Sequence, residues 1–538
     1  MAMDFATKFR GYVRTATPLI KVDTFDARAT MRHIIEVMGE TKLLNDNKTM
    51  LSVTGISQWD ICRGFNGVNE LGIAQVTEFL RESKTPPAAL HMAENLYKVL
   101  AAVRPEVLRD HFTFIFNAHK FWGNAVEVQG LYNLRDILAD KGSMLILLSA
   151  PGEILPQELA QDIMPLDEPL PDDKQVEAII KKAYDNAKVL ATASKKKIPE
   201  ALPVDVMARS KAALNGMPSF PIAQSSALCL DAMTGTMDVV ELWDQKRHTV
   251  SQRAGLSMFE RDGVALANLD DMDNIINFLN RYNAGPESPN IILRFDEMEK
   301  GFAGSGTDLS GDATKLTGSI LTWFQDKRIH GIIFVGVPGC GKSELIYAWA
   351  KSVGKPVVNV DIPGMQGSLL GQSMANLQAA EKTIDAMGGG KVLAIASVNE
   401  INKLPAPLLR RFDLSTAFFD IPKTEQARMN ILNIHRKKYN VTPKDGVPKD
   451  TRLWTGSDLE NCCKRAYLLG ESLEDAATNV VKVMVARRDE MDALRRDADS
   501  KYISASHPGV YRYYDPFEEA PKQETGRRLK GNYRNLSI

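Results

Sequence analysis

The chain has 538 residues, 44% of them hydrophobic and 25% charged, with a formal net charge of −1. That is the composition of a globular protein with room for several domains, and the near-zero charge excludes a global field for nucleic acid or an anionic membrane surface. No run of eighteen apolar residues occurs, and Met1-Ala2-Met3-Asp4 does not open a basic, then apolar leader, so a cytoplasmic protein without membrane contact is expected. The 5 cysteines (Cys62, Cys229, Cys340, Cys462, Cys463) are scattered without metal-ligand spacing, and reduced thiols are the simplest reading.

Residues 1–190 read as an α/β domain. Pro18–Val22 is a short strand followed by a helical pattern from Met31 to Met38. The apolar runs Phe112–Phe116 and Met144–Leu148 suit strands buried on both faces of a parallel sheet, with a helix from Val126 to Leu138 between them. A charged helix is predicted from Asp172 to about Lys188. This domain has no phosphate-binding loop, and Asn117-Ala118 stands where a hydrolytic carboxylate pair would end the first run, so a structural or recruiting role is expected. Residues 191–255 read as a helical region with a basic turn, Lys195-Lys196-Lys197, and one longer helix from Thr236 to Ala254.

From residue 256 the pattern changes. Leu266 to Arg281 is helix-like, with Asp270, Asp271 and Asp273 near its start, where they suit the helix dipole. After a Gly-Pro-Ser-Pro linker comes the strand Ile291–Phe295, ending in Asp296-Glu297, and then an amphipathic helix, Ala313 to Asp326. Next is the strand Ile332–Val335 and the run Gly336-Val337-Pro338-Gly339-Cys340-Gly341-Lys342-Ser343, with a helix opening at Glu344. Strand, glycine-rich loop and helix in this order form a P-loop: the glycines turn backbone N–H groups inward as an anion nest, and the helix N-terminus adds its dipole. Lys342 can reach the β- and γ-phosphates and the Ser343 hydroxyl a Mg²⁺ position, so the chain is expected to bind a nucleoside triphosphate. Cys340 reads as a small filler. Beyond this lie the strand Pro356–Asp361, a glycine-rich loop from Gly364 to Gly371, a helix from Ser373 to Met387, and the strand Val392–Val398 ending at Asn399. Leu408-Leu409-Arg410-Arg411-Phe412-Asp413 and the strand Thr416–Ile421 follow. A helical domain over 423–496 and an extended or disordered tail over 497–538 complete the chain.

These motifs together resemble the AAA (AAA+) branch of the P-loop ATPases over residues 256–495. The resemblance rests on the P-loop, Asp296-Glu297, Asn399, the Leu-Leu-Arg-Arg-Phe-Asp run, the Ser368–Ser373 loop and Thr455-Gly456-Ser457-Asp458-Leu459. Asp296 to Gly304 is similar to the group typified by a chloroplast open reading frame, whose members also carry an N-terminal domain without a P-loop. The resemblance implies an α/β fold: a parallel-sheet nucleotide-binding domain over 256–422, an all-α lid over 423–496, and the P-loop-less α/β domain before them. It implies ATP and Mg²⁺ as ligands, a Mg²⁺ site at Ser343 and Asp296, and Glu297 polarising the attacking water. Asn399 resembles the sensor of that water and the γ-phosphate, and Arg410 and Arg411 resemble arginine fingers aimed at a neighbouring subunit. Gly456 and Ser457 would sit near the adenine. Leu369 and Leu370 stand where the family's central-pore loop carries an aromatic residue.

The expected function is a Mg-dependent ATPase, a homo-oligomer forming a ring of about six subunits, that remodels a macromolecular client. The alternatives are a nucleotide-regulated scaffold with little turnover and a nucleic-acid motor, the latter supported only by Arg527-Arg528-Leu529-Lys530. The chain order is unusual, because in AAA proteins the P-loop precedes the carboxylate strand, whereas here Asp296-Glu297 comes first. We read this as transposition of one strand–helix unit, Ile291 to Asp326, in front of the P-loop. In that arrangement the Asn399 strand lies between the P-loop strand and the carboxylate strand, with neighbours about 4.8 Å apart. The rival reading keeps the ordinary order and takes Asn399-Glu400 as a degraded pair with Glu400 as base.

Overall fold

The computed structural model describes residues 4–42, 48–84, 86–91, 97, 108–122, 125–258, 265–266, 269–302, 312–365, 372–442 and 446–517. Two mostly parallel sheets organise them. The first is built from β1 (Leu19–Asp23), β2 (Gly55–Asp60), β3 (Gly64–Gly67), β4 (His111–Ile115), β5 (Met144–Ser149) and β6 (Met164–Asp167), in the order β3-β2-β4-β5-β1-β6. All residues of β4 and β5 are buried, as a continuous apolar run in a central strand requires. Their side chains alternate between two cores: Leu145 and Leu147 pack with Trp59 and Leu131, while Ile146 and Leu148 pack with Phe9 and Ile34. The strands β2 and β3 were not foreseen; Gly, Ser, Asn and Asp dilute their apolar pattern. A short antiparallel ribbon, β7 (Leu230–Asp231) with β8 (Thr236–Met237), lies in the helical region that follows.

The second sheet comprises β9 (Leu256–Ser257), β10 (Ile291–Phe295), β11 (His330–Gly336), β12 (Val357–Val360), β13 (Val392–Val398), β14 (Ser415–Phe419) and β15 (Ile503–Ser504). Their order is β15-β14-β11-β13-β10-β12-β9, and only the β12–β9 pairing is antiparallel. The strand leading to Asn399 thus separates the P-loop strand from the carboxylate strand. Register then places the chemistry. Phe295 pairs with Ala396, which sets Asp296 beside Ser397, and Val335 pairs with Val398, which sets Asn399 beside Gly336. The three strands run parallel, so their polar C-terminal residues emerge at one edge.

The structure corrects three domain assignments. The helix Asp173–Ala193, read as the end of the first α/β domain, packs its Val176, Ile180 and Tyr184 against Leu214, Ile222 and Leu242 of the helices that follow. The lid is shorter than 423–496: its core joins Leu432, Trp454, Leu459, Cys462, Cys463 and Leu473, whereas Met491 and Ala498 of the helix Arg488–Ala498 belong to the cores on the second sheet. Residues 497–517 of the tail expected to be extended or disordered are ordered, and the rest of it lies outside the described residues. β15 extends the sheet beside β14, and Tyr511 is buried at 1% exposure against Phe418. What holds it is a buried charge. The Arg495 side chain, fully enclosed, donates two hydrogen bonds to the Asp420 carboxylate (Nε to Oδ1 2.8 Å, Nη2 to Oδ2 2.9 Å), and the Tyr511 hydroxyl donates a third at 2.7 Å. Tyr513 and Tyr514 cover the guanidinium with their rings.

Removing one partner of such a pair strands the other without water. We expect Asp420→Ala to lower unfolding stability by about 3–5 kcal/mol, and Asp420→Asn, which keeps hydrogen-bond acceptance, to cost less. Urea denaturation curves of the two variants check the order.

Candidate active site

The sheet edge where β10, β11 and β13 end opens into a cavity of about 480 Å³. Its floor is Pro338 to Glu344. Asp296, Glu297, Ser397 and Asn399 form one wall, and Ile431, His435, Gly456 and Ser457 of the lid form the other. Gly336 and Val337 lie just behind the floor, and their role is positional. Gly336 has φ +152°, and a Cβ there would stand 2.0 Å from the Phe419 carbonyl oxygen, so only glycine lets β11 turn into the loop against β14. Val337 donates its N–H to that oxygen at 3.0 Å. The lid is fastened to the same loop: Ser457 donates its N–H to the Gly339 carbonyl at 3.0 Å, and its helix starts in a capping box between Thr455 and Asp458.

Each charged group has an internal partner. Lys342 is buried at 8% exposure; its ammonium donates to the carbonyls of Gly336 (2.8 Å) and Val337 (3.3 Å) and to Asn399 Oδ1 (3.2 Å). Burial holds its pKa below the ordinary lysine value, which keeps the group ready to gain from an added anion. Asp296 accepts from the Ser397 hydroxyl at 2.6 Å and the Ser343 hydroxyl at 3.3 Å, and is paired with Arg294. Burial alone would raise its carboxyl; the Ser397 hydrogen bond and the Arg294 charge outweigh it and leave it below the ordinary aspartate range. Glu297 sits in the left-handed region at φ +45° and is paired with Lys300 at 2.5 Å. Glu299, buried at 5% exposure, accepts the Asn399 N–H at 3.1 Å.

The predicted residues divide clearly. Asp296, Glu297, Ser343, Lys342, Asn399, Gly456 and Ser457 come together. Glu400 does not line the cavity and pairs with Lys403 at 2.6 Å. Arg410 and Arg411 lie elsewhere: Arg411 donates to Gln325 at 2.8 Å, and the adjoining Asp413 accepts from His330 and Gly331 at the start of β11. At about 3.3 Å per residue, the length of β11 separates that end from the P-loop by about 20 Å, so the pair cannot serve the cavity of its own chain. Leu369 and Leu370 lie outside the described residues.

Sequence reasoning missed several lining groups. Ala505 and Ser506, just past β15, reach the cavity because the C-terminal segment returns to the sheet. Asp270 and Asp271, expected in the first turn of a helix, precede it. The helix starts at Asp273, Asp270 pairs with Asn430 of the lid, and Asp271 accepts the Lys423 N–H at 3.2 Å. Arg294 and Glu299 lie beside the Asp-Glu pair without lining the cavity, and nothing in the local pattern marks them as its buried partners.

Comparison with known families agrees with this geometry. Residues 332–393 match the family described as "ATPase family associated with various cellular activities (AAA)". The chain carries an AAA ATPase domain. Residues 5–168 match "SpoVK-like AAA ATPase, N-terminal domain", a span that covers the first sheet and ends with β6. No helix among the described residues is long and apolar enough to cross a membrane.

The Cys340 thiol is enclosed in the P-loop, and burial pushes its pKa far above the ordinary thiol value; burial also pushes Cys229 and Cys462 up to about 11. The thiolate is the reactive form. We therefore expect an alkylating reagent at pH 8 to modify exposed Cys62 in the folded protein, with Cys340 reacting only on unfolding; peptide mass spectrometry checks this.

Proposed function

We propose that this protein binds ATP in the cavity at the P-loop, hydrolyses it, and works as a ring-forming oligomer that remodels a macromolecular partner. The observation that carries the catalytic assignment is the common cavity of Lys342, Ser343, Asp296, Glu297 and Asn399, with Glu400 outside it. Ser343 and Asp296 offer convergent hard oxygen donors, which fit a Mg²⁺ that takes its remaining ligands from phosphate and water. When bound, Mg²⁺ would neutralise charge on the β- and γ-phosphate oxygens. Lys342 exchanges its carbonyl partners for phosphate oxygens. Asn399, held through its N–H by Glu299, orients the attacking water, and Glu297 accepts that water's hydrogen bond and polarises it. Gly456, Ser457 and Ser506 border the side where the lid would enclose the base.

The placement of Arg410 and Arg411 away from their own cavity supports a role as fingers for a neighbouring subunit. The strand order β11-β13-β10 supports the reading that the unit Ile291 to Asp326 is transposed in front of the P-loop, since each catalytic strand has a fitting neighbour although the chain visits them in another order. The scaffold alternative draws on one observation: Glu297 is held by Lys300, so the base is already engaged by an internal partner.

Phosphate release separates these readings. We expect Glu297→Gln to retain ATP binding and lose turnover, while Glu400→Gln turns over normally; the reverse pattern overturns the assignment. We expect Arg411→Ala to bind ATP and to lose turnover by a factor on the order of 10³. Wild-type activity from a dilute monomer contradicts a finger in trans. Negligible turnover of the assembled wild type favours the scaffold.

A further inference from the structure

The strand β10 is buried on both faces, and its side chains alternate between them. Ile291, Leu293 and Phe295 enter one core; Ile292 faces the other, beneath the P-loop helix Lys342–Ser352. Arg294 shares the face of Ile292, so the fold drives a guanidinium into the interior at 8% exposure. Such a charge persists only where its surroundings supply acceptors.

Those acceptors are of two kinds. On one side Nη1 donates to the Tyr347 hydroxyl (3.2 Å) and to Asn359 Oδ1 (3.1 Å), two groups themselves joined at 2.8 Å, and the guanidinium lies 5.2 Å from the Tyr347 ring. On the other side Nη2 donates to Ser343 Oγ at 3.0 Å and is paired with the Asp296 carboxylate. Nε has no partner among the described residues. The second pair of acceptors is the pair assigned above to Mg²⁺.

We propose that Arg294 is a positioning residue that competes with the metal: it neutralises Asp296 and holds Ser343, and it must give up both oxygens for Mg²⁺ to take them. The Tyr347–Asn359 side is its anchor during that exchange. Two cations compete for one carboxylate and one hydroxyl. Arg294 therefore raises the Mg²⁺ concentration that nucleotide binding needs, and it keeps the ligands aligned without metal. The inference rests on the Mg²⁺ reading of Ser343 and Asp296.

The test titrates Mg²⁺ against binding of a fluorescent ATP analogue, with no turnover required. Arg294→Met conserves volume and removes the charge; Arg294→Gln removes the charge and retains polar contact with Tyr347 and Asn359. We expect both to shift the Mg²⁺ midpoint downward, on the order of tenfold. An unchanged or raised midpoint in folded variants overturns the proposal. Asp296→Asn separates the two assumptions: if it leaves the midpoint unmoved, the metal reading itself fails, whereas if it shifts the midpoint and the Arg294 variants do not, only the Arg294 inference fails. Should both variants misfold, the wild type decides by electron paramagnetic resonance of Mn²⁺. We expect no Mn²⁺ bound at this site before nucleotide is added. Binding to the nucleotide-free protein that Asp296→Asn abolishes overturns the proposal.

Discussion

A loop that binds phosphate through its backbone must leave several N–H groups unsatisfied inside a folded protein and still keep one shape. Here the rigidity comes from both neighbours of the loop. The Phe419 carbonyl of β14 closes on Gly336 and Val337 from the sheet, and Ser457 bonds Gly339 from the lid. The charges follow the same rule. Lys342 rests on carbonyls and Asn399, Asp296 on Arg294 and two hydroxyls, Glu297 on Lys300, and the Asn399 N–H on Glu299. The site's own groups satisfy most of these charges, although Arg294 Nε and Glu299 Oε2 find no partner among the described residues, so a ligand would exchange its bonds for internal ones. Exchange of this kind costs little when each internal bond is of ordinary strength.

That network depends on where strands end in space, and the order in which the chain visits them does not enter. Hydrogen bonding between parallel strands needs only neighbours with matching direction and register. The pairings Phe295 with Ala396 and Val335 with Val398 fix Asp296, Ser397 and Asn399 whatever connects them. The connections run along the opposite edge, from helix ends to strand starts. There Asn290 bonds Lys391 and Gly388 between the starts of β10 and β13, so the connections are settled at the edge opposite the cavity.

How much of this was legible in the residues follows from the range of the interactions. The P-loop, the Asp-Glu pair and Asn399 are local patterns: an apolar run of fixed length with a polar end, which only a buried strand satisfies. Their grouping also followed, because central parallel strands leave few neighbours. The ordered C-terminal segment did not. Tyr511 reads as a tail residue because β15 is two residues long and carries no periodicity; its burial is decided by Asp420, far away in the sequence. Arg294 escaped for a related reason: the acceptors that make burial of its charge tolerable come from Tyr347 and Asn359 on two other elements.

The same Asp420 joins the lid to the sheet. The chain leaves β14 for the lid at Ile421 to Lys423, immediately after Asp420, and returns through the helix Arg488–Ala498, whose Arg495 is clamped on the Asp420 carboxylate. The lid is also tied to the sheet domain by Asn430 on Asp270 and by Ser457 on Gly339, and the chain re-enters the core beneath the P-loop at Val483 and Met484, ahead of Arg495. Asp420 is therefore one of several anchors, beside which Trp454, Leu459 and Cys463 pack as a unit. Ser457 bonds the P-loop from the lid side, and Ser506, one residue past the buried Ala505, lines the cavity from the sheet side. The cavity thus has one wall continuous with β15 and one formed by the lid, so whatever fills it touches both.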